Sequence, residues 1–151
     1  MTSSGKEQVT ILGSGNVGTV IADAVSTNIR RMPRFIHKIK WWVFHEIING
    51  EKLSDIINNK HENVKYLPGK QLSNTIQAVT DIEIACQGCT ILILCIPPTY
   101  LSRLLPTVQA CLSPTCEVIN VCEGLKYTGN GTIFSTYSEM LNFYLQRKVS
   151  V

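Results

Sequence analysis

Gly13-Ser14-Gly15-Asn16-Val17-Gly18 matches G-x-G-x-x-G, and its surroundings give that spacing a chemical meaning. Val9 to Leu12 is a short apolar, β-branched run that reads as a buried strand. From Val17 the spacing turns helical, placing Val17, Val20, Ile21, Ala24 and Val25 on one face. A strand, a tight glycine turn and a helix in that order predict a cradle for the pyrophosphate of a dinucleotide. Gly13 allows the turn, Gly15 lets the phosphates approach the backbone, and Gly18 lets the helix close on the strand. The unpaired N–H groups and the dipole of a helix N-terminus both favour negative charge there. Ser14, Asn16 and Val17 complete this candidate binding loop.

Two further places could meet the same ligand. Ile39 to Phe44, IKWWVF, reads as a second strand, and the end of such a strand meets the adenosine half of a bound dinucleotide. Phe44 lies either against the adenine ring or in the core. Glu46 is the nearest acid for a ribose hydroxyl, and no arginine directly follows the strand to accept a 2′-phosphate. NAD is therefore expected over NADP. The nearly continuous apolar run Ile91 to Ile96 predicts a central parallel strand, ending at Pro97-Pro98-Thr99-Tyr100. Ligands bind beyond the carboxyl ends of such strands, so this junction should border the cofactor.

The six cysteines lie between Cys86 and Cys122. Cys86 and Cys89 form C-x-x-C, but no second pair follows at zinc-ribbon spacing, and His37, His45 and His61 are remote in sequence. Reduced thiols in a cytosolic compartment are expected, with no metal. The stretch Arg30-Arg31-Met32-Pro33-Arg34 is either a solvated loop or a set of charges that attracts an anionic cofactor.

Elements that could position these residues follow in order. Asn49-Gly50 is a turn, and Leu53, Ile56 and Ile57 share the face of a short helix. His61 to Gly69 has no clear period, and spacing assigns it no chemistry. Ile76 to Val79 is a strand candidate. Thr80 and Glu83 suggest a capping box for a helix from Asp81 to Gln87. Leu101 to Leu112 is a helical face that Pro106 should kink or restart. Val118 to Val121 is a buried strand, Thr128 to Gly131 a loop, and Ile133, Tyr137, Met140, Leu141 and Tyr144 a last amphipathic helix. Val149 begins another strand. The chain has 151 residues, 44% hydrophobic composition and a formal charge of +3. That describes one globular α/β domain and argues for neither nucleic acid nor membrane as partner. Residues 1–7 read as a disordered polar tail, without the apolar core of a signal peptide.

GSGNVG at Gly13–Gly18, WVF at Trp42–Phe44 and KLSDIINNKHENVKYLPG at Lys52–Gly69 together carry a resemblance. From about Val9 onward the chain resembles the N-terminal NAD-binding domain of eukaryotic cytosolic NAD-dependent glycerol-3-phosphate dehydrogenase. The resemblance implies a Rossmann-type parallel sheet with helices on both faces, incomplete at the C-terminus and without the helical substrate domain. It implies NAD as cofactor, held by Gly13 to Gly18, with Phe44 on the adenosine side and Tyr100 in place of a phenylalanine beside the cofactor. The family reaction is reduction of dihydroxyacetone phosphate to glycerol 3-phosphate by NADH, in the cytosol and commonly in homodimers. Where the family writes I-K-G with a substrate-holding lysine, this chain reads Cys122-Glu123-Gly124, so no catalytic residue is carried over. A nucleotide-binding module without catalysis, or one that docks on a full-length relative, stays open as the alternative.

Overall fold

The computed structural model describes residues 5–122, 126–127, 133–134 and 136–150. In chain order the elements are β1 (Val9–Leu12), α1 (Asn16–Ile29), β2 (Ile39–Trp42), β3 (Ile47–Ile48), β4 (Glu51–Lys52) and α2 (Leu53–Lys60). There follow β5 (Ile76–Val79), α3 (Ile82–Cys86), β6 (Ile91–Leu94), α4 (Pro98–Cys111) and β7 (Glu117–Asn120). The last are β8 (Lys126–Tyr127), β9 (Ile133–Phe134), α5 (Tyr137–Leu145) and β10 (Val149–Ser150).

Six strands form one parallel sheet in the order β10-β7-β6-β1-β2-β5. Counted in chain order, that is 3-2-1-4-5-6 read from the β5 edge, the order of dinucleotide-binding sheets. β1 and β6 are neighbours at the point where the winding reverses. Strand alternation sends Val9, Ile11, Trp41 and Ile93 to one layer with α1 and α2. Leu12, Trp42, Leu92 and Leu94 go to the other, with α3, α4 and α5. Thr10, a polar residue of this core, donates its hydroxyl to the Ala85 carbonyl at 2.9 Å.

Several sequence expectations need correction. The fully buried residues of α1 are Gly18, Thr19, Ala22, Ser26 and Ile29; of the expected face, Ile21 and Val25 pack partly buried against this core, while Val17, Val20 and Ala24 turn to solvent. Val17 and Val20 are 56% and 54% exposed, because the small residues let the helix lie closer to the sheet than branched ones could. The cap of α3 is Asp81, whose carboxylate accepts from the N–H groups of Glu83 (2.8 Å) and Ile84 (3.0 Å), not Thr80. The Thr80 carbonyl instead accepts from Trp42 Nε1. α4 begins at Pro98 and continues through Pro106 as one helix, since Leu101, Leu105 and Val108 bury its length against the core. Ile133 belongs to β9, and α5 starts three residues after Phe134 under a capping box of Thr136 and Glu139. Tyr144 of that helix is exposed. Glu7, expected in the tail, exchanges backbone hydrogen bonds with Arg34 and Ile36 (2.8 Å each). The expected loop Thr128–Gly131 lies outside the described residues, as does Glu123.

Candidate dinucleotide site

The glycine turn follows β1 directly and opens α1, beside the carboxyl end of β6. Gly13 has φ +112°, and a Cβ there would stand 2.5 Å from the Cys95 carbonyl oxygen. A Cβ on Gly18 would stand 2.0 Å from the Gly13 carbonyl oxygen. These two glycines are demanded by the fold itself. Gly15 differs: a Cβ there would meet nothing within 4 Å, and its backbone is extended (φ −68°, ψ −172°). The chain gives no internal reason for glycine at that position, whereas a ligand lying against the backbone does. Gly15 is also the N-cap of α1 and offers no side-chain cap, so the first-turn N–H groups face outward without a competing carboxylate. The residues present therefore fit a pyrophosphate.

The carbonyls of the turn are all drawn inward. Gly13 accepts from Trp41 Nε1 at 2.7 Å, and Ser14 from Asn63 Nδ2 at 3.1 Å. Gly15 accepts from the Thr19 hydroxyl at 2.8 Å and the Thr19 N–H at 2.9 Å. Asn63 is 0% exposed, and also donates to Thr19 Oγ1 at 2.9 Å while accepting from the Tyr66 N–H at 3.3 Å. Sequence reading gave His61–Gly69 no role because its partners lie 44 and 49 residues earlier. The burial that marks Asn63 arises only in the fold, so the stretch carried no signal for it. Just after this segment, Lys70 reaches α1 at Asp23, 3.2 Å away.

At the end of β2, Phe44 is 60% exposed and meets Trp42 edge-on at 6.3 Å. It is not a core residue. Glu46 is engaged by an ion pair with Lys65, and Tyr66 Oη lies 3.5 Å from its other oxygen. That carboxylate, then Tyr66, holds the Lys65 ammonium above the usual lysine range. Sequence reading missed Lys65 as the partner of the expected ribose acid. Arg30, Arg31 and Arg34 are exposed beyond the far end of α1, about 20 Å from the turn at 1.5 Å per residue. They do not join the site.

Beyond β6, Tyr100 sits in the first turn of α4 and is 65% exposed. The carboxyl ends of β6 and β7 are tied by Cys122, whose thiol donates to the Ile96 carbonyl at 2.9 Å. Cys86 and Cys89 are buried free thiols just before the amino end of β6, and Cys89 meets Cys116, Sγ to Sγ 3.7 Å, rather than Cys86. Among the described residues, no cluster of three or more His, Cys, Asp or Glu side chains could hold a metal ion. Nor is any described helix long and apolar enough to cross a membrane.

This architecture has close counterparts. A probable glycerol-3-phosphate dehydrogenase of Caenorhabditis elegans is 39% identical over 122 residues, 80% of this chain and 31% of that protein. The NAD(+) glycerol-3-phosphate dehydrogenase of Pichia angusta is 40% identical over 140 residues, 91% of this chain and 37% of that one. The solved glycerol-3-phosphate dehydrogenase of Saccharomyces cerevisiae superposes with a TM-score of 0.86 at 33% identity, covering 95% of this chain and 40% of that one. The chain thus spans about a third of the length of the relatives it matches. Residues 8–151 match the family described as the NAD-dependent glycerol-3-phosphate dehydrogenase N-terminus, and the chain belongs to that family.

Proposed function

We propose that this chain binds NAD(H) as the cofactor-binding part of a cytosolic glycerol-3-phosphate dehydrogenase that works as a homodimer. The observation that carries the reading is the open space at Gly15 above an uncapped helix N-terminus. Ser14, Gly15, Asn16, Val17 and Gly18 would hold the pyrophosphate through backbone N–H groups, with Gly13 making the turn. Phe44 would face the adenosine half, and Tyr100 the cofactor at the end of β6. Bound NADH supplies the hydride for reduction of dihydroxyacetone phosphate to glycerol 3-phosphate. This chain's own residues bind and orient the cofactor and keep one side of it from water. The remoteness of Arg30, Arg31 and Arg34 supports NAD(H) over NADP(H).

Titration of the purified chain with NADH tests this, read through Trp41 and Trp42 beside the turn. Saturable quenching is expected, with weaker binding of NADPH and none by Gly15→Val. Equal NADH binding by Gly15→Val would overturn the pyrophosphate assignment. A second reading, a nucleotide-binding module without catalysis, is favoured by Glu123 standing at the family's lysine position.

A further inference from the structure

The peptide groups of the glycine turn are trans, as all those described are, so each carbonyl points opposite to the N–H of the next residue. Drawing the Gly13, Ser14 and Gly15 carbonyls inward therefore turns the N–H groups of Ser14, Gly15 and Asn16 outward. Two of these inward pulls come from the packed sheet and from α1: Trp41 of β2 takes the Gly13 carbonyl, and Thr19 takes that of Gly15. The third comes from outside both elements. The Ser14 carbonyl is held chiefly by Asn63 Nδ2 at 3.1 Å, with the Thr19 hydroxyl a longer 3.4 Å away.

We propose that Asn63 is a positioning residue for the dinucleotide: it locks the Ser14–Gly15 peptide so that the Gly15 N–H faces the ligand. This rests on the NAD(H) reading above. The side chain is suited to the task. Its amide offers two donors, one for Ser14 and one for Thr19 Oγ1 (2.9 Å), and its one oxygen accepts from the Tyr66 N–H (3.3 Å). Accepting that proton from Asn63 leaves the Thr19 hydroxyl to donate to the Gly15 carbonyl at 2.8 Å. The order Tyr66, Asn63, Thr19, Gly15 thus fixes two adjacent carbonyls from a single buried amide. Aspartate has the same shape and keeps the oxygen that meets Tyr66. It removes the donors and sets a carboxylate against the Ser14 carbonyl, which favours turning that peptide over and presenting oxygen to the phosphates.

The test compares the unmodified chain with Asn63→Asp, using NADH and adenosine as probes, the second followed by saturation-transfer NMR. NADH affinity is expected to fall about ten- to a hundred-fold in Asn63→Asp. Adenosine, which carries no phosphate, should bind within two-fold of the unmodified chain. A purely structural asparagine would instead lower both affinities in proportion to the unfolded fraction, and that result would overturn the proposal. NADH binding within two-fold in a folded Asn63→Asp would overturn it too, while leaving the NAD(H) reading intact. Failure of the unmodified chain to bind NADH would sink the NAD(H) reading itself. Should Asn63→Asp not fold, the ¹⁵N spectrum of the unmodified chain decides. The Asn63 side-chain amide should be protected from solvent exchange and should shift with Gly15 on adding NADH. A side-chain amide that exchanges freely and stays unshifted would end the proposal.

Discussion

At Gly15 a side chain would enter space that no atom of the chain occupies, whereas at Gly18 it would enter the Gly13 carbonyl. Single substitutions should therefore separate ligand from fold. Gly15→Val is expected to keep the parent's melting temperature within a few degrees and to lose NADH affinity about a hundred-fold or more. Gly18→Ala should cost about 3 kcal/mol of stability with or without NADH, because backbone rather than a flexible side chain must move. Calorimetry and NADH titration on both variants check this, and an unfolded Gly15→Val would reverse the assignment. Glycine spacing was legible because the three glycines stand within six consecutive residues, between an apolar strand run and a helical pattern. Asn63 was not, because its partners become neighbours only when the chain folds back. The thiols give a second expectation. Burial pushes those of Cys86 and Cys95 up to about 12 and that of Cys122 up to about 11, from an ordinary value near 9. A raised pKa in the folded state means that unfolding releases protons above pH 9, so the neutral thiols' contribution is whole below that pH. It is lost as the pH climbs towards 11 and 12. The melting temperature should fall across this window, and less steeply in Cys95→Ala. An unchanged slope in that variant would remove Cys95 from the account.

Helix α1 shows what periodicity reads and what it overlooks. The spacing of apolar residues gave the correct element and only part of its face, Ile21 and Val25, since pattern weighs the size of apolar groups while packing against a sheet weighs closeness. Gly18, Ala22 and Ser26 lie four apart and form the contact, with Ser26 satisfied by donating to the Asp23 carbonyl at 2.9 Å. Val20→Ser is accordingly expected to change stability by less than about 0.5 kcal/mol. Ala22→Leu should cost about 1–3 kcal/mol and weaken NADH binding, since lifting α1 moves the N–H groups at its start. Chemical denaturation of the two variants distinguishes the faces; a larger loss from Val20→Ser would restore the valine face. In α4 the opposite error arose. Pro106 supplies no N–H to the helix, yet burial of Leu101, Leu105 and Val108 outweighs the missing bond. Local propensity suggested a kink or a restart at Pro106, and packing carries the helix through without a restart.

Across the whole molecule, alternating strands and helices made the parallel sheet legible, and the resemblance of Lys52–Gly69 narrowed the family. Strand order was not legible, yet it is strand order that sets β1 beside β6 and so the glycine turn beside the Tyr100 junction. Activity also belongs to this scale. Reducing a phosphorylated ketone requires a grip on the phosphate, polarisation of the carbonyl and a proton for the developing alkoxide, besides the cofactor. The relatives carry about three times as much chain as the part matched here. Assayed by itself, the 151-residue chain should bind NADH and show no measurable turnover of dihydroxyacetone phosphate. Fusing the remaining domain of an active relative to it should yield a feeble enzyme. Glu123 stands where the family resemblance implies a substrate-holding lysine, and a carboxylate there opposes an anionic substrate. Loss of one preorganised electrostatic contact typically costs on the order of a hundred- to a thousand-fold in rate, and reversal of its charge at least as much. Glu123→Lys in the fusion should recover most of that factor in kcat/KM with NADH affinity unchanged. Full turnover by the fusion with Glu123 in place would show that this position does not hold the substrate.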